Sequence, residues 1–129
     1  IAGIVNGTRA LSAFSKASSL EVIGAVVTGA IVNQWAATIV IESSSFASLL
    51  SSAAGPSTTI DVVASRFGWL TNTGAAVARI VVAASVFQWV ENDGDDVGDL
   101  RVEGGDESNT LVNDGSGVTL VFTAPAAGT

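Results

Sequence analysis

Residues 22–41 read Val-Ile-Gly-Ala-Val-Val-Thr-Gly-Ala-Ile-Val-Asn-Gln-Trp-Ala-Ala-Thr-Ile-Val-Ile and contain no charged residue. β-Branched residues are dense in this stretch, and its apolar residues alternate onto one face, which favours β-strands. The alternation is interrupted at Gly29 and Asn33. We therefore expect residues 22–41 to form two buried strands.

Two helical interpretations of the same stretch compete with the strands. Twenty uncharged residues are enough to span a bilayer as a helix, although Asn33 and Gln34 would need polar partners in hydrocarbon. A spanning helix would align Ala25, Gly29, Asn33 and Ala37 at four-residue spacing in a narrow seam of small residues, which favours close helix packing. The alternatives are thus a helix buried in an assembly and a transmembrane helix.

Three segments outside this stretch have the spacing of short amphipathic helices. They are residues 9–20, 45–54 and 59–67, and in each the apolar residues recur at three- and four-residue intervals. In the second segment Phe46 and Leu49 begin such a stripe, and a Gly-Pro pair follows its end as a stop signal. The pattern predicts three helices.

The C-terminal part carries strand and turn signals. Residues 100–103 alternate, and residues 109–112 and 118–122 flank Asn-Asp-Gly-Ser-Gly at 113–117, a sequence typical of hairpin turns. We therefore expect an α+β fold with short N-terminal and central helices, a β-rich remainder and a C-terminal β-hairpin. A length of 129 residues suits a single domain, 1–129.

Charge divides the chain into two parts. Residues 1–90 carry four basic and three acidic side chains, and residues 91–129 carry one basic and nine acidic ones, so the net charges are +1 and −8. A soluble monomer covers itself with charged residues, and the first part has too few to do so. We expect residues 1–90 to be an assembly core and residues 91–129 to be an acidic, β-rich end that faces solvent. A monomer coated with serine and threonine is the alternative.

The composition excludes several chemistries. The chain has no cysteine and no histidine, so it offers no thiol nucleophile, no imidazole base and no zinc site of the usual nitrogen and sulfur type. A net charge of −7 disfavours binding to nucleic acid. We expect no catalysis and no cofactor. Because neither cysteine nor methionine is present to be oxidised, we favour an extracellular or virion location.

The acidic stretch 91–107 partly resembles a calcium loop. Asp93, Asp95 and Asp99 are spaced as oxygen ligands, but Val97 and Gly104 occupy positions where an EF-hand has ligands. We expect a solvated acidic loop. A calcium-dependent binding module built on residues 91–107 is the third functional hypothesis.

A pattern around one tryptophan recurs later in the chain. The motif Val-x-x-Ala-x-Val-x-Gln-Trp occurs at residues 27–35 and again at residues 81–89. Tryptophan combines a large apolar area with one N–H donor, which suits both cores and subunit interfaces. We expect Trp35 and Trp89 to be largely buried in the assembled state. The predicted interface residues are Val27, Ile31, Trp35, Ile39, Val81 and Trp89.

These observations predict a structural protein. The first functional hypothesis is a self-assembling subunit of an extracellular or virion assembly, such as a coat, capsid-associated or filament protein. Its partners would be copies of itself and, in a coat, other coat subunits. The second hypothesis is a small membrane-embedded protein that spans the bilayer with residues 22–41.

Overall fold

The computed structural model describes residues 4–6, 19–35, 38–103 and 110–123. Within these ranges the chain forms strands and turns and no helix. The strands are β1 (Ile4–Asn6), β2 (Ser19–Ile23), β3 (Val26–Asn33), β4 (Thr38–Glu42), β5 (Ser45–Ser51), β6 (Thr59–Val63), β7 (Arg66–Asn72), β8 (Arg79–Ala83), β9 (Val86–Asn92), β10 (Leu100–Glu103), β11 (Thr110–Asn113) and β12 (Leu120–Thr123).

The strands form two parallel sheets of six strands each. Sheet I has the order β1-β3-β5-β7-β9-β11, and sheet II has the order β12-β10-β8-β6-β4-β2. Each strand therefore pairs with the strand two places along the chain, and one turn of chain contributes one strand to each sheet. Residue 60 pairs with residue 80, and residue 80 pairs with residue 100, so one such coil takes 20 residues. This architecture is a parallel β-solenoid.

The core consists of apolar side chains stacked in columns between the two sheets. Sheet II contributes one column of Ile39, Ile60, Ile80 and Leu100, all fully buried. Sheet I contributes a phenylalanine column: the rings of Phe46 and Phe67 stack 4.9 Å apart, and those of Phe67 and Phe87 stack 5.4 Å apart. Because each residue rests on its equivalent in the next coil, the coil can repeat without a gap.

The first corner of each coil, which we call the serine corner, joins a strand of sheet II to a strand of sheet I. Ser44, Ser65 and Ser85 stack there, and all three are buried. Each hydroxyl donates to the carbonyl two residues before it and accepts an N–H from the preceding coil, as Ser65 does from Ser44 at 3.2 Å. These bonds satisfy backbone groups where the sheet hydrogen bonding stops.

The second corner follows sheet I and begins at a row of buried polar residues, the asparagine ladder. Its members are Asn33, Ser51, Asn72, Asn92 and Asn113, which are in register. Asn72 Nδ2 donates to Asn92 Oδ1 at 2.8 Å, and Asn92 Nδ2 donates to Asn113 Oδ1 at the same distance. The same side chains bond to the backbone two residues further on, so the ladder both links the coils and shapes the turn.

Glycine is required where these turns stack on one another. A Cβ at Gly94 would overlap the carbonyl oxygen of Gly74, and a Cβ at Gly115 would overlap the carbonyl oxygen of Gly94. The Asn-x-Gly sequences at 72–74, 92–94 and 113–115 therefore mark the same turn in three successive coils.

The predicted α+β fold and its helices are wrong. Residues 45–51 form β5, and residues 59–67 form β6, a serine corner and the start of β7. The three-residue spacing in 45–54 comes from an irregularity of strand β5. Phe46 and Leu49 both point inward on either side of it, and Ser51, two residues after Leu49, is the next buried residue. Three-residue spacing within a strand was mistaken for a turn of helix. Of the predicted helix 9–20, residues 9–18 lie outside the described residues, and residues 19–20 belong to β2.

The predicted C-terminal hairpin is also wrong in its pairing. Strands do occur at 110–113 and 120–123, but β11 pairs with β9 in sheet I and β12 pairs with β10 in sheet II, both in parallel. The Asn-Asp-Gly turn changes sheets instead of reversing the chain within one sheet. The turn residues lie where the sequence predicted a turn, but each flanking strand pairs with the equivalent strand of the preceding coil.

Residues 22–41 contribute to three strands, not two. They include the end of β2, all of β3 and most of β4. Among the residues that the structure describes, a helix with the length and hydrophobicity needed to span a bilayer is absent.

Candidate interaction surface

The outward side chains of sheet I form a surface that we call the tryptophan face. These side chains alternate with the buried ones along each strand except at one irregularity, where two successive residues lie outside the core. Ala47, Gly68 and Gln88 form the extra row that this irregularity adds to the face. The face comprises Ala30, Val32, Ser48, Leu50, Trp69, Thr71, Trp89, Glu91, Thr110 and Val112, bounded on the serine-corner side by Val26, Ser45, Arg66 and Val86.

Two neighbouring indoles in tilted contact occupy the centre of the tryptophan face. Trp69 and Trp89 are directly in register, with ring centroids 5.2 Å apart and ring planes tilted by 34°. Trp89 is half-buried, and its Nε1 donates to Glu91 Oε1 at 3.2 Å. Trp69 is 49% exposed and the nearby Leu50 is 42% exposed. An aromatic pair that keeps this much apolar area in water is typical of an interaction surface.

The charges of the tryptophan face lie at opposite margins. Arg66 lies beside the serine corner, and Glu91 lies two residues beyond Trp89 on the side of the asparagine ladder. Within the described part of the chain, the Arg66 guanidinium takes part in none of the ion pairs. Glu91 at the other margin accepts a hydrogen bond from Trp89 and lies beside Asp93 and Asp114, so it carries the negative charge of that margin.

The outer face of sheet II differs, because it carries ion pairs beside exposed apolar side chains such as Ile23 and Val63. Arg79 binds Asp61 through two hydrogen bonds, at 2.7 Å and 3.0 Å. Arg101 approaches Glu103 at 3.1 Å and Asp99 at 3.6 Å. Exposed pairs of this kind add little stability but keep a surface hydrated. Among the described residues, the ion pairs therefore lie on the side of sheet II, and the tryptophan face has none.

The structure separates the residues predicted to form a subunit interface. Val27, Ile31 and Ile39 are buried in the protein's own core, and Val81 faces outward on sheet II. Trp35 follows β3 near the second corner and is 38% exposed, whereas Trp89 lies in the middle of β9. Of the six residues, only Trp89 belongs to the tryptophan face.

The repeated motif that suggested Trp35 and Trp89 does not follow the structural repeat. Val27 lies in sheet I and Val81 in sheet II, so the two copies of the motif occupy different positions in the coil. The partner of Trp89 is Trp69, which sequence reasoning missed. The signal was present: Phe-x-Trp at 67–69 recurs at 87–89, the 20-residue interval at which Asn-x-Gly also recurs.

The acidic residues cluster differently from the calcium loop of the third hypothesis. Asp93, Asp95 and Asp99 are not brought together: Asp95 accepts hydrogen bonds from the N–H and hydroxyl of Ser116, and Asp99 approaches Arg101. Carboxylate oxygens of Glu91, Asp93 and Asp114 instead lie within 4.8 Å of one another. With one oxygen from each carboxylate, three to five of the six to eight oxygens that calcium prefers would have to come from other groups or from water.

Folding raises the pKa of Asp93. Desolvation raises the pKa of Asp93, and the adjacent Glu91 raises it further, while a hydrogen bond with Asp114 opposes the shift. An acid whose pKa is raised by folding is favoured in its protonated form. The resulting stabilisation is complete below the pKa of the unfolded chain and is lost as pH rises through the higher folded value.

We expect Asp93→Asn to raise the thermal midpoint of unfolding at pH 7, because it removes one of the crowded charges. The gain should shrink as pH falls and the wild-type carboxyl becomes protonated. Thermal unfolding followed by circular dichroism between pH 3 and pH 7 measures both effects. Asp96→Asn is the matched control, since Asp96 is exposed and outside the cluster. A lower midpoint for Asp93→Asn at pH 7 would contradict this explanation.

A groove of about 480 Å³ runs along the serine corner. Its walls are small residues of four successive coils, such as Gly24, Ser43, Ala64 and Ala84, and Arg66 is its one charged lining residue. This groove lacks the acid and base pair that general acid-base catalysis needs.

Comparison with known proteins finds no matching family model, no matching curated protein and no matching solved structure.

Proposed function

We propose that this chain is a structural, self-assembling subunit of an extracellular or virion assembly and has no catalytic role. The observation that supports the proposal best is the tryptophan face. Its central columns contain two indoles in tilted contact, an exposed leucine and a single charged residue, Glu91, which accepts a hydrogen bond from Trp89. Such a surface is costly to leave in water and becomes favourable when a partner covers it.

The solenoid itself is suited to a structural role. Its coils are held to their neighbours by parallel sheets, by the serine corner and by the asparagine ladder, all of which repeat along one axis. Stacked-coil proteins present long, regular side faces to their partners. A regular face with an exposed apolar centre supports assembly with identical subunits more directly than it supports binding of a small molecule.

The location and partners belong to the same proposal and rest on composition. The absence of cysteine and methionine suits an oxidising exterior. A net charge of −7 argues against nucleic acid as a partner. The partners are then copies of this chain and, in a coat, other coat subunits.

The native mass in detergent-free buffer tests the proposal. We expect light scattering coupled to size exclusion to give a mass that is a multiple of 12.9 kDa and rises with concentration. A single 12.9 kDa species at the highest accessible concentration would contradict self-assembly. Particles that form only in detergent would favour the membrane hypothesis.

A further inference from the structure

The tryptophan face is large enough to support a specific contact. Five strands at about 4.8 Å spacing and up to about 23 Å length present roughly 500 Å² of sheet. Two such faces would together bury about 1,000 Å², which is the lower end for a specific protein interface. The exposed apolar side chains of Val26, Leu50, Trp69 and Val86, mixed with the polar Gln88 and the charged Arg66 and Glu91, also have the mixed composition of a protein interface.

The charges restrict how two such faces can meet. The corner after the asparagine ladder is acidic, with Asp93, Asp95, Asp96 and Asp114. The serine corner on the other side of the face is formed by glycine, alanine and serine, with Arg66 beside it. A two-fold axis that runs across the strands places the acidic corner of one copy far from the acidic corner of the other. A two-fold axis that runs along the strands would instead place the two acidic corners against each other.

The favourable axis is therefore parallel to the solenoid axis and passes over the column that contains Trp69 and Trp89. Rotation about it places the acidic corner of one copy opposite the serine corner of the other. It also places Arg66 of one copy one strand away from Glu91 of the second, a separation that both long side chains can bridge. Because the operation is two-fold, this pairing occurs twice, as an isologous interface requires.

We infer that two copies of this chain pair side by side through their tryptophan faces, with solenoid axes parallel and the indoles of both copies at the centre. This inference rests on the proposed function, since it identifies the surface through which self-assembly occurs. Trp69 is the anchor, because it is central, aromatic and half exposed before pairing. The reciprocal contacts between Arg66 and Glu91 determine the orientation.

Two surface variants test the contact. We expect Trp69→Lys to raise the dissociation constant of the dimer at least tenfold, because a charge replaces the central anchor. Arg66→Glu should raise it by about three- to tenfold, since both reciprocal pairs become repulsive. Val81→Lys is the matched control: it adds the same charge to the outer face of sheet II and should leave the dissociation constant unchanged. Analytical ultracentrifugation measures the constants, and circular dichroism checks that each variant is folded.

A cross-linking experiment tests the symmetry without relying on those substitutions. The chain lacks cysteine, so a single introduced thiol reacts only with its own copy in the partner. Ser48 is in register with Trp69, so the proposed two-fold axis passes over it. Packed sheets are about 10 Å apart, and a short bis-maleimide can span that distance. We expect Ser48→Cys to give a covalent dimer and Val81→Cys to give none.

The possible results separate this inference from the proposed function. Monomeric wild-type protein would overturn both. A different result would overturn only the tryptophan-face pairing. In that result the wild-type protein and Trp69→Lys assemble equally well, and Ser48→Cys fails to cross-link. Self-assembly would then occur through another surface. Cross-linking of Val81→Cys in place of Ser48→Cys would assign the contact to sheet II.

Discussion

Replacement of Asn92 with alanine is expected to lower the free energy of unfolding by about 3 kcal/mol. Asn92 is fully buried and makes four hydrogen bonds: it accepts from Asn72 and from the Gly94 N–H, and it donates to Asn113 and to the Gly94 carbonyl. Alanine leaves both backbone groups of the buried Gly94 without these partners, at a cost of about 1–3 kcal/mol for each buried group. Urea unfolding followed by circular dichroism measures the change.

Asn113→Ala is the control for position in the ladder. Asn113 is half-buried and accepts from one ladder neighbour among the described residues, so water can replace part of what is lost. We expect a loss of about 1 kcal/mol for this variant. Equal effects for the two substitutions, or an Asn92→Ala protein as stable as the wild type, would show that the ladder does not hold the coils together.

Phe67→Ala is expected to cost about 3–5 kcal/mol, the range found for large aromatic residues removed from a packed core. Phe67 is the middle ring of the phenylalanine column and contacts a ring on each side. Its removal leaves a cavity between two rigid sheets, which cannot collapse without breaking the register of the strands. The same urea titration gives the magnitude.

Trp69→Ala provides a matched comparison on the same strand. Trp69 lies two residues from Phe67 but points outward, so in a dilute monomer its loss should cost less than about 1 kcal/mol. A larger loss for Trp69→Ala than for Phe67→Ala would mean that the inward and outward faces of β7 have been assigned the wrong way round.

Several strands could be located from sequence because their signals are local. Dense β-branched residues in 22–41 predicted strands there, and strands at 100–103, 110–112 and 120–122 occur where alternation and turn residues indicated them. The turn at 113–117 was also identified. Its Asn-Asp-Gly sequence favours a tight change of direction whatever the chain does next.

The sheet pairing could not be obtained from the same local signals. A hairpin and a coil corner use the same turn residues, and only the contact with the preceding coil distinguishes them. Gly115 packs against the carbonyl of Gly94, and Asn113 bonds to Asn92, about 20 residues earlier. The 20-residue recurrence of Phe-x-Trp and Asn-x-Gly was the available indication of that contact.

Sequence alone determined the chemistry that this protein can offer: it has no thiol and no imidazole, and its acidic groups are concentrated after residue 90. Tertiary structure alone decided which apolar residues are core and which are surface. Ile31 and Trp69 both lie in apolar strands of sheet I, yet one is fully buried and the other is half exposed. The physical reason is that alternation along a strand separates two faces without stating which one points inward. The stacking of complete coils makes that choice, because it requires phenylalanine over phenylalanine inside and leaves the tryptophans outside.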